Sequence, residues 1–140
     1  MQERVRRDKA AAAYIRVASQ HPEDAGAVQH QRAGCDRIAA KRGLTIVREY
    51  VDQGCPAELE RQQHLLQLLR DLGRDQDVAS VVIWDYSRLA SDLEQLQAII
   101  DWIRNCGAEV ITMTGVEAAS RFITEHDQEY MNERERRTHK

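Results

Sequence analysis

Four short apolar runs, separated by three stretches with helical periodicity, constrain the fold of this chain more than any other feature. The runs are rich in alanine, β-branched and aromatic residues, which is typical of strands covered on both faces. They are Ala11–Ala18, Leu44–Val51, Ala79–Asp85 and Glu109–Met113. The alternation of strands with helices predicts an α/β domain of three layers, in which helices cover both faces of a mostly parallel sheet of four or five strands.

The three helical stretches cover residues 26–42, 59–72 and 92–106. Each has apolar residues at helical spacing, such as Leu65, Leu68 and Leu72 in the second stretch. Glycines follow all three, so Gly43, Gly73 and Gly107 are the predicted stops.

The last part of the chain predicts one long C-terminal helix over about residues 116–136. Its apolar positions fall on one side and are Val116, Ala119, Phe122, Ile123 and Tyr130. No predicted strand follows that would return this helix to the sheet. We therefore expect a homodimer through this helix, or a tetramer, and the alternative is that the helix folds back over its own sheet.

Composition limits the classes of function. At 140 residues, with 42% hydrophobic and 31% charged residues, the chain is predicted to be one folded domain spanning 1–140. No run approaches the ~20 apolar residues of a membrane helix, and the N-terminus lacks a signal-peptide cleavage site, so we expect a cytoplasmic protein without a membrane partner. Three scattered cysteines and the lack of a glycine-rich phosphate loop predict no metal and no cofactor.

Polar side chains cluster where the predicted strands end. They are Arg16 and Ser19 after the first strand, Asp52 after the second, and Asp85, Ser87 and Arg88 after the third. Because the carboxyl ends of parallel strands meet at one edge of the sheet, these groups are expected to lie close together. Guanidinium groups match phosphate oxygens, so the pattern indicates a phosphate site, although each arginine could instead pair with a carboxylate such as Asp52 or Asp85.

Five segments, in this order, resemble the catalytic domain of the serine recombinases, the resolvase/invertase group. "YIRVAS" resembles the family's first-strand motif Tyr-x-Arg-Val-Ser, and "QRAGCDRIAAKRGLTIVREYVDQG" is similar to its Gln-containing helix and the strand that follows. "ELERQQHLLQLLRDL" resembles the Arg-Pro-x-Leu helix, "VVIWDYSRLASD" the Asp-x-Ser-Arg-x-x-Arg segment, and "CGAEVITM" the last strand. The resemblance covers about residues 10–135.

The resemblance implies a role in DNA strand cleavage and exchange during site-specific recombination. In that family a serine hydroxyl attacks a DNA phosphodiester and forms a covalent phosphoserine link, while clustered arginines stabilise the phosphate charge without metal or cofactor. Applied residue by residue to this sequence, the resemblance implies that Arg16, Arg61 and Arg88 are phosphate ligands. Gln31, Asp52 and Ser87 would be supporting residues, with Asp52 as an orienting carboxylate.

Three departures from the family pattern fall at the site. The nucleophile position is Ala18, and Ser19 comes one residue later, so it would point to the other face unless the strand has ended or carries a bulge. Ser91 stands where the family has a second arginine, and Pro56 stiffens the turn after Asp52. These changes predict reduced or lost catalysis. Ser19 is expected to be a solvated serine at the strand end, and the alternative is that it replaces the missing nucleophile.

Three hypotheses remain open at the level of sequence. One hypothesis is an active serine recombinase domain that uses Ser19, Arg16 and Arg88. Another is a non-catalytic module derived from that fold that associates with itself, with an active partner or with DNA. An unrelated receiver-like α/β domain ranks last, because it would have acidic residues where Arg16 stands. The resemblance implies a DNA-binding module after the long helix, and we expect none within residues 1–140.

Overall fold

The computed structural model describes residues 5–18, 25–54 and 58–113. The strands are β1 (Ala10–Val17), β2 (Thr45–Gln53), β3 (Ser80–Ile83) and β4 (Glu109–Thr112). The helices are α1 (Ala25–Lys41), α2 (Gln63–Asp75) and α3 (Leu93–Asn105), with short 3-10 turns at Arg7–Lys9, Leu59–Arg61 and Tyr86–Arg88. The helix predicted over about 116–136 lies outside the described residues.

The four described strands form one parallel sheet in the order β2-β1-β3-β4, which confirms the predicted α/β class. β1 is central and every one of its residues is buried. Its register with β2 places Arg16 directly opposite Asp52, so both side chains leave the sheet at its carboxyl edge and on the same face. A bulge at Ala11/Ala12 sets this register.

Helices cover both faces of the sheet, as the alternation of elements predicts. α1 packs on one face, where Ala11, Ala13 and Val82 meet Cys35 and Ile38. The larger cluster is on the opposite face, beneath α2 and α3, and it is built on residues such as Tyr14, Leu65, Leu68, Ile83, Leu96 and Ile103. The small side chains of Ala10–Ala13 let the helices on both sides approach the central strand closely.

The predicted bounds of the second helix were wrong at both ends. Its first three residues form the Leu59–Arg61 turn, and the helix continues through Gly73 to Asp75. It stops where Gln76 adopts the left-handed conformation, at φ 47° and ψ 37°. One glycine inside a helix costs only about 1 kcal/mol, and the buried leucine stripe that ends at Leu72 offsets that cost. Gly43, by contrast, ends α1 as predicted, with φ at +67°.

Candidate functional site

Arg16 lies at the carboxyl end of the central strand and is 8% exposed. Its Nε donates a hydrogen bond to the main-chain oxygen of Arg88 at 3.2 Å, and its Nη2 donates to that of Ser87 at 2.9 Å. A buried guanidinium requires acceptors for its donors, and these two carbonyls supply them. Arg16 therefore joins the end of β1 to the turn that follows β3.

Arg88 makes a reciprocal contact with Arg16. Its Nη1 donates to the main-chain oxygen of Arg16 at 3.3 Å, so each guanidinium binds the backbone of the other residue. The Nε of Arg88 is buried without a hydrogen-bond partner, and it lies 3.9 Å from Asp85 Oδ1, which is an ion-pair distance but too long for a hydrogen bond. We call Arg16 and Arg88 the arginine pair.

The turn that carries Arg88 is fixed by Asp85. Its Oδ1 accepts a hydrogen bond from the backbone N–H of Ser87 at 2.9 Å and another from the Ser87 hydroxyl. The carboxylate thus caps the 3-10 turn Tyr86–Arg88. The hydroxyl of Ser87, a predicted supporting residue, is engaged inside this turn.

Gln31 approaches the arginine pair from α1, on the other side of the sheet. Its Nε2 donates to the main-chain oxygen of Arg16 at 3.0 Å, the same oxygen that Arg88 reaches. The side chain is buried, and its Oε1 has no hydrogen-bond partner. Gln31 therefore contributes one donor to the backbone of Arg16 and one unused acceptor beside it.

Asp52 is buried at the end of β2 and accepts four hydrogen bonds. Oδ2 accepts from the hydroxyl of Tyr14 at 2.8 Å and from the N–H of Leu65 at 3.1 Å. Oδ1 lies 3.0 Å from the N–H of His64 and 2.9 Å from its ring Nδ1. The carboxylate thereby caps the first turn of α2 from another element. Burial raises the pKa of the Tyr14 phenol, so Tyr14 remains a donor to Asp52.

Gln62, at the N-cap of α2, was not predicted as part of the site. It is fully buried, and its Nε2 lies 3.0 Å from the Tyr14 hydroxyl, 3.0 Å from the main-chain oxygen of Arg88 and 3.3 Å from that of Leu89. A glutamine in the polar stretch "ERQQH" has no periodic signal of burial. The only available signal was the departure from the Arg-Pro-x-Leu pattern, in which this position is proline.

Arg61 is separate from the contacts of the arginine pair in the described part of the chain. It ends the turn before α2, its side chain is 68% exposed, and its Nε lies 3.5 Å from Glu58 Oε2. The geometry therefore brings two of the three predicted arginines together and leaves the third at the surface beside a carboxylate.

At the nucleophile position, Ala18 is an exposed residue directly after β1. A methyl group can neither attack a phosphorus atom nor donate a hydrogen bond. Ser19 and Pro56 lie outside the described residues, so the predicted roles of both stay predictions.

No group of three or more histidine, cysteine, aspartate and glutamate side chains in the described ranges is arranged to hold a metal ion. Within the same ranges, no helix has the length and apolar character needed to cross a bilayer. Among the described groups of the site, the two guanidiniums of the arginine pair are suited to holding an anion such as a phosphate, whereas the carboxylate of Asp52 carries a negative charge and caps α2.

Comparisons with known proteins agree with this architecture. The catalytic domain of TP901-1 integrase is 21% identical, with a TM-score of 0.71 over 91% of this chain and 98% of that one. A resolvase family site-specific recombinase from Streptococcus pneumoniae is 18% identical, with a TM-score of 0.69 over 91% and 89%. The catalytic domain of ISC1926 TnpA, an IS607-like serine recombinase, is 19% identical, with a TM-score of 0.64 over 74% and 68%.

No curated protein matches the sequence significantly. The family model described as the resolvase N-terminal domain matches residues 11–140, nearly the whole chain. The chain therefore belongs to the resolvase N-terminal domain family.

Proposed function

We propose that this chain is a serine recombinase domain of site-specific recombination that binds the DNA phosphate backbone through Arg16 and Arg88 and has reduced or no strand-cleaving activity. Family membership supports DNA as the partner, since the similar solved structures include an integrase and site-specific recombinases. We further propose that it acts in the cytoplasm, on the ground that its proposed partner is DNA.

One observation carries the proposal: the arginine pair is assembled beside Ala18. Both guanidiniums are fixed by the other residue's carbonyl, and their strand-end position is where ligands bind in parallel α/β sheets. The position two residues after Arg16 holds a methyl group in place of a hydroxyl. Phosphate binding is therefore preserved better than phosphoryl transfer, because removal of a nucleophile affects only the latter.

Covalent capture of DNA tests this proposal. The chain is fused to a DNA-binding module of known site and incubated with a duplex nicked near that site, and the protein–DNA adduct is measured after denaturation. We expect no adduct from the native sequence or from Ser19→Ala, and an adduct from Ala18→Ser. An adduct from the native sequence that disappears with Ser19→Ala would overturn the loss of catalysis and make Ser19 a working nucleophile.

The arginines are tested in the Ala18→Ser background. Arg16→Lys and Arg88→Lys should each lower the rate of adduct formation by about 10²–10³, which is the typical effect of losing one oriented donor to a phosphoryl transition state. Arg61→Lys is the comparison, because its side chain is exposed and paired with Glu58. A loss as large for Arg61→Lys would mean that Arg61 joins the site when DNA binds.

We also propose that the chain self-associates as a homodimer through the C-terminal residues 116–136, with a tetramer as the larger assembly. The support is the apolar stripe of that segment, which includes Phe122 and Ile123. Light scattering across a dilution series should give a dimer mass that falls toward the monomer with Phe122→Asp. A monomer mass at all concentrations for the native chain would refute self-association.

A further inference from the structure

We propose that Gln62 is a positioning residue that holds the arginine pair in its ligand-binding geometry and joins it to the Asp52 carboxylate. This inference rests on the proposed phosphate-binding function. Gln62 is the N-cap of α2, whereas Arg16 and Arg88 come from β1 and the turn after β3. It therefore links the start of α2 to the pair, as Gln31 links α1 to it.

The orientation of the Gln62 amide follows from its neighbours. Nε2 is surrounded by two main-chain oxygens, those of Arg88 and Leu89, and by the Tyr14 hydroxyl oxygen. The opposite orientation would place the amide oxygen against two carbonyl oxygens, which repel it. Since the Tyr14 proton is directed to Asp52, the Tyr14 oxygen is the acceptor for Gln62. The two N–H donors of the amide are thus directed at these three oxygens, and the 3.3 Å contact to Leu89 is the longest of the three.

The main-chain oxygen of Arg88 is the atom that both Gln62 and Arg16 contact. It accepts from Gln62 Nε2 at 3.0 Å and from Arg16 Nε at 3.2 Å. Loss of the Gln62 amide would leave this carbonyl fixed by Arg16 alone. The turn Tyr86–Arg88 could then move, and both guanidiniums would move with it because each binds the other's backbone.

Few side chains other than glutamine meet these requirements at position 62. The backbone N–H of Gln62 lies 3.1 Å from both the Glu58 and the Leu59 oxygens, so a proline would remove that donor. Methionine has a similar length without a donor. A glutamate has the shape of glutamine, but when ionised it cannot donate to the two carbonyls. Gln62→Met and Gln62→Glu therefore separate shape from hydrogen bonding.

The test uses the full chain and the NMR signal of the Arg16 Nε–H, which is observable in ¹⁵N–¹H spectra. In the native chain we expect a distinct, slowly exchanging Arg16 signal, because this proton is bonded inside a buried site. Gln62→Met should broaden it or return it to the solvent-exposed position, and should weaken binding of inorganic phosphate about tenfold. Gln63→Met, a change of the exposed neighbouring glutamine, should alter neither property.

Gln62→Glu provides a signature that a general loss of stability would not produce. A protonated carboxyl regains one donor, so the Arg16 signal of this variant should recover as the pH falls through the pKa of the introduced glutamate, which burial raises. The Gln62→Met variant should show no recovery. Val78→Ala creates a cavity in the buried core near the amino end of β3, opposite the carboxyl ends where the site lies. It controls for destabilisation and should leave the Arg16 signal in place.

The outcomes separate the two proposals. An unchanged Arg16 signal in folded Gln62→Met would overturn the proposed role of Gln62, whatever the effect of the substitution on phosphate affinity. A lost signal in Val78→Ala as well would also overturn it, since the effect would then reflect stability alone. If phosphate fails to bind the native chain while the Arg16 signal still depends on Gln62, the proposed function fails and the role of Gln62 in fixing the arginine pair stands.

Discussion

At the scale of single residues, Gly34 shows how little space separates α1 from the sheet. A Cβ placed on it would lie 2.1 Å from Cζ3 and 2.4 Å from Cε3 of Trp84. The indole cannot retreat freely, because the His30 ring lies against it with centroids 5.0 Å apart. Gly34→Ala should therefore destabilise the fold by about 1–3 kcal/mol in urea unfolding.

Gly26 is the matched control for this change. It lies on the same helix, and a Cβ there would meet nothing within 4 Å. Gly26→Ala should be neutral or stabilising by up to about 1 kcal/mol, since alanine is the better helix former. Equal stability of the two alanine variants would contradict a tight contact between position 34 and the Trp84 indole.

Asp71 makes a contribution to stability that depends on pH. The hydroxyl of Tyr50 donates to its Oδ2 at 2.6 Å, and this bond, with Gln67 and Arg74, holds the pKa of the carboxyl below its usual value. A lowered pKa in the folded state gives stability that is present above about pH 4 and is lost as the pH falls through the lowered pKa. Asp71→Asn should thus be less stable than the native chain at pH 7.

The measurement is the free energy of unfolding of both proteins between pH 7 and pH 2.5. The difference between them should shrink as the native Asp71 becomes protonated. Tyr50→Phe removes the largest cause of the shift, so it should flatten the same pH dependence. A difference that stays constant over this range would show that the charge of Asp71 contributes nothing.

At the scale of elements, the start of α2 depends on a residue of β2. Asp52 accepts the N–H groups of His64 and Leu65, which have no partner within the helix. Asp52→Ala removes this cap and also leaves the buried Tyr14 hydroxyl without its acceptor. We expect a loss of about 2–3 kcal/mol, with faster hydrogen exchange at both amides.

Asp92→Ala is the corresponding change at α3. In the native chain the carboxylate of Asp92 accepts a hydrogen bond from the N–H of Gln95 at 2.7 Å, in an exposed position. The expected cost is about 1 kcal/mol, with faster exchange confined to α3. If Asp52→Ala left the His64 and Leu65 amides unchanged, the cap from β2 would be refuted.

The positions of the elements were predictable from sequence, because buried parallel strands and amphipathic helices have different periods. The closeness of Arg16 and Arg88 followed from the same topology, since both stand at strand ends. The role of Gln62 was not predictable. Its burial depends on how the N-terminus of α2 packs against the turn after β3, and no local pattern encodes that packing. The end of α2 was missed because Gly73 carries a strong stop signal that tertiary packing overrides.

At the scale of the whole molecule, the described helices cover the two sheet faces unequally. α2 and α3 lie on one face, whereas α1 alone lies on the other and packs mainly over β1 and β2. A helix is about 10 Å wide and strands are about 4.8 Å apart, so one helix covers roughly half of four strands. Beside α1 a groove of about 440 Å³ remains, lined by Ile38, Lys41 and Met113 among others.

We expect the surface beside α1 to be buried in the proposed dimer. Met113 is 44% exposed at the groove and lies three residues before the segment 116–136 proposed to mediate self-association. Val47 is 41% exposed on β2, at the far edge of the sheet. Met113→Asp should weaken the dimer at least tenfold, because a charge would be buried at the contact, and Val47→Asp should leave it unchanged. Both variants should fold, since each side chain is substantially exposed. Light scattering over a dilution series measures the difference, and equal dimer stability in the two variants would place the contact elsewhere.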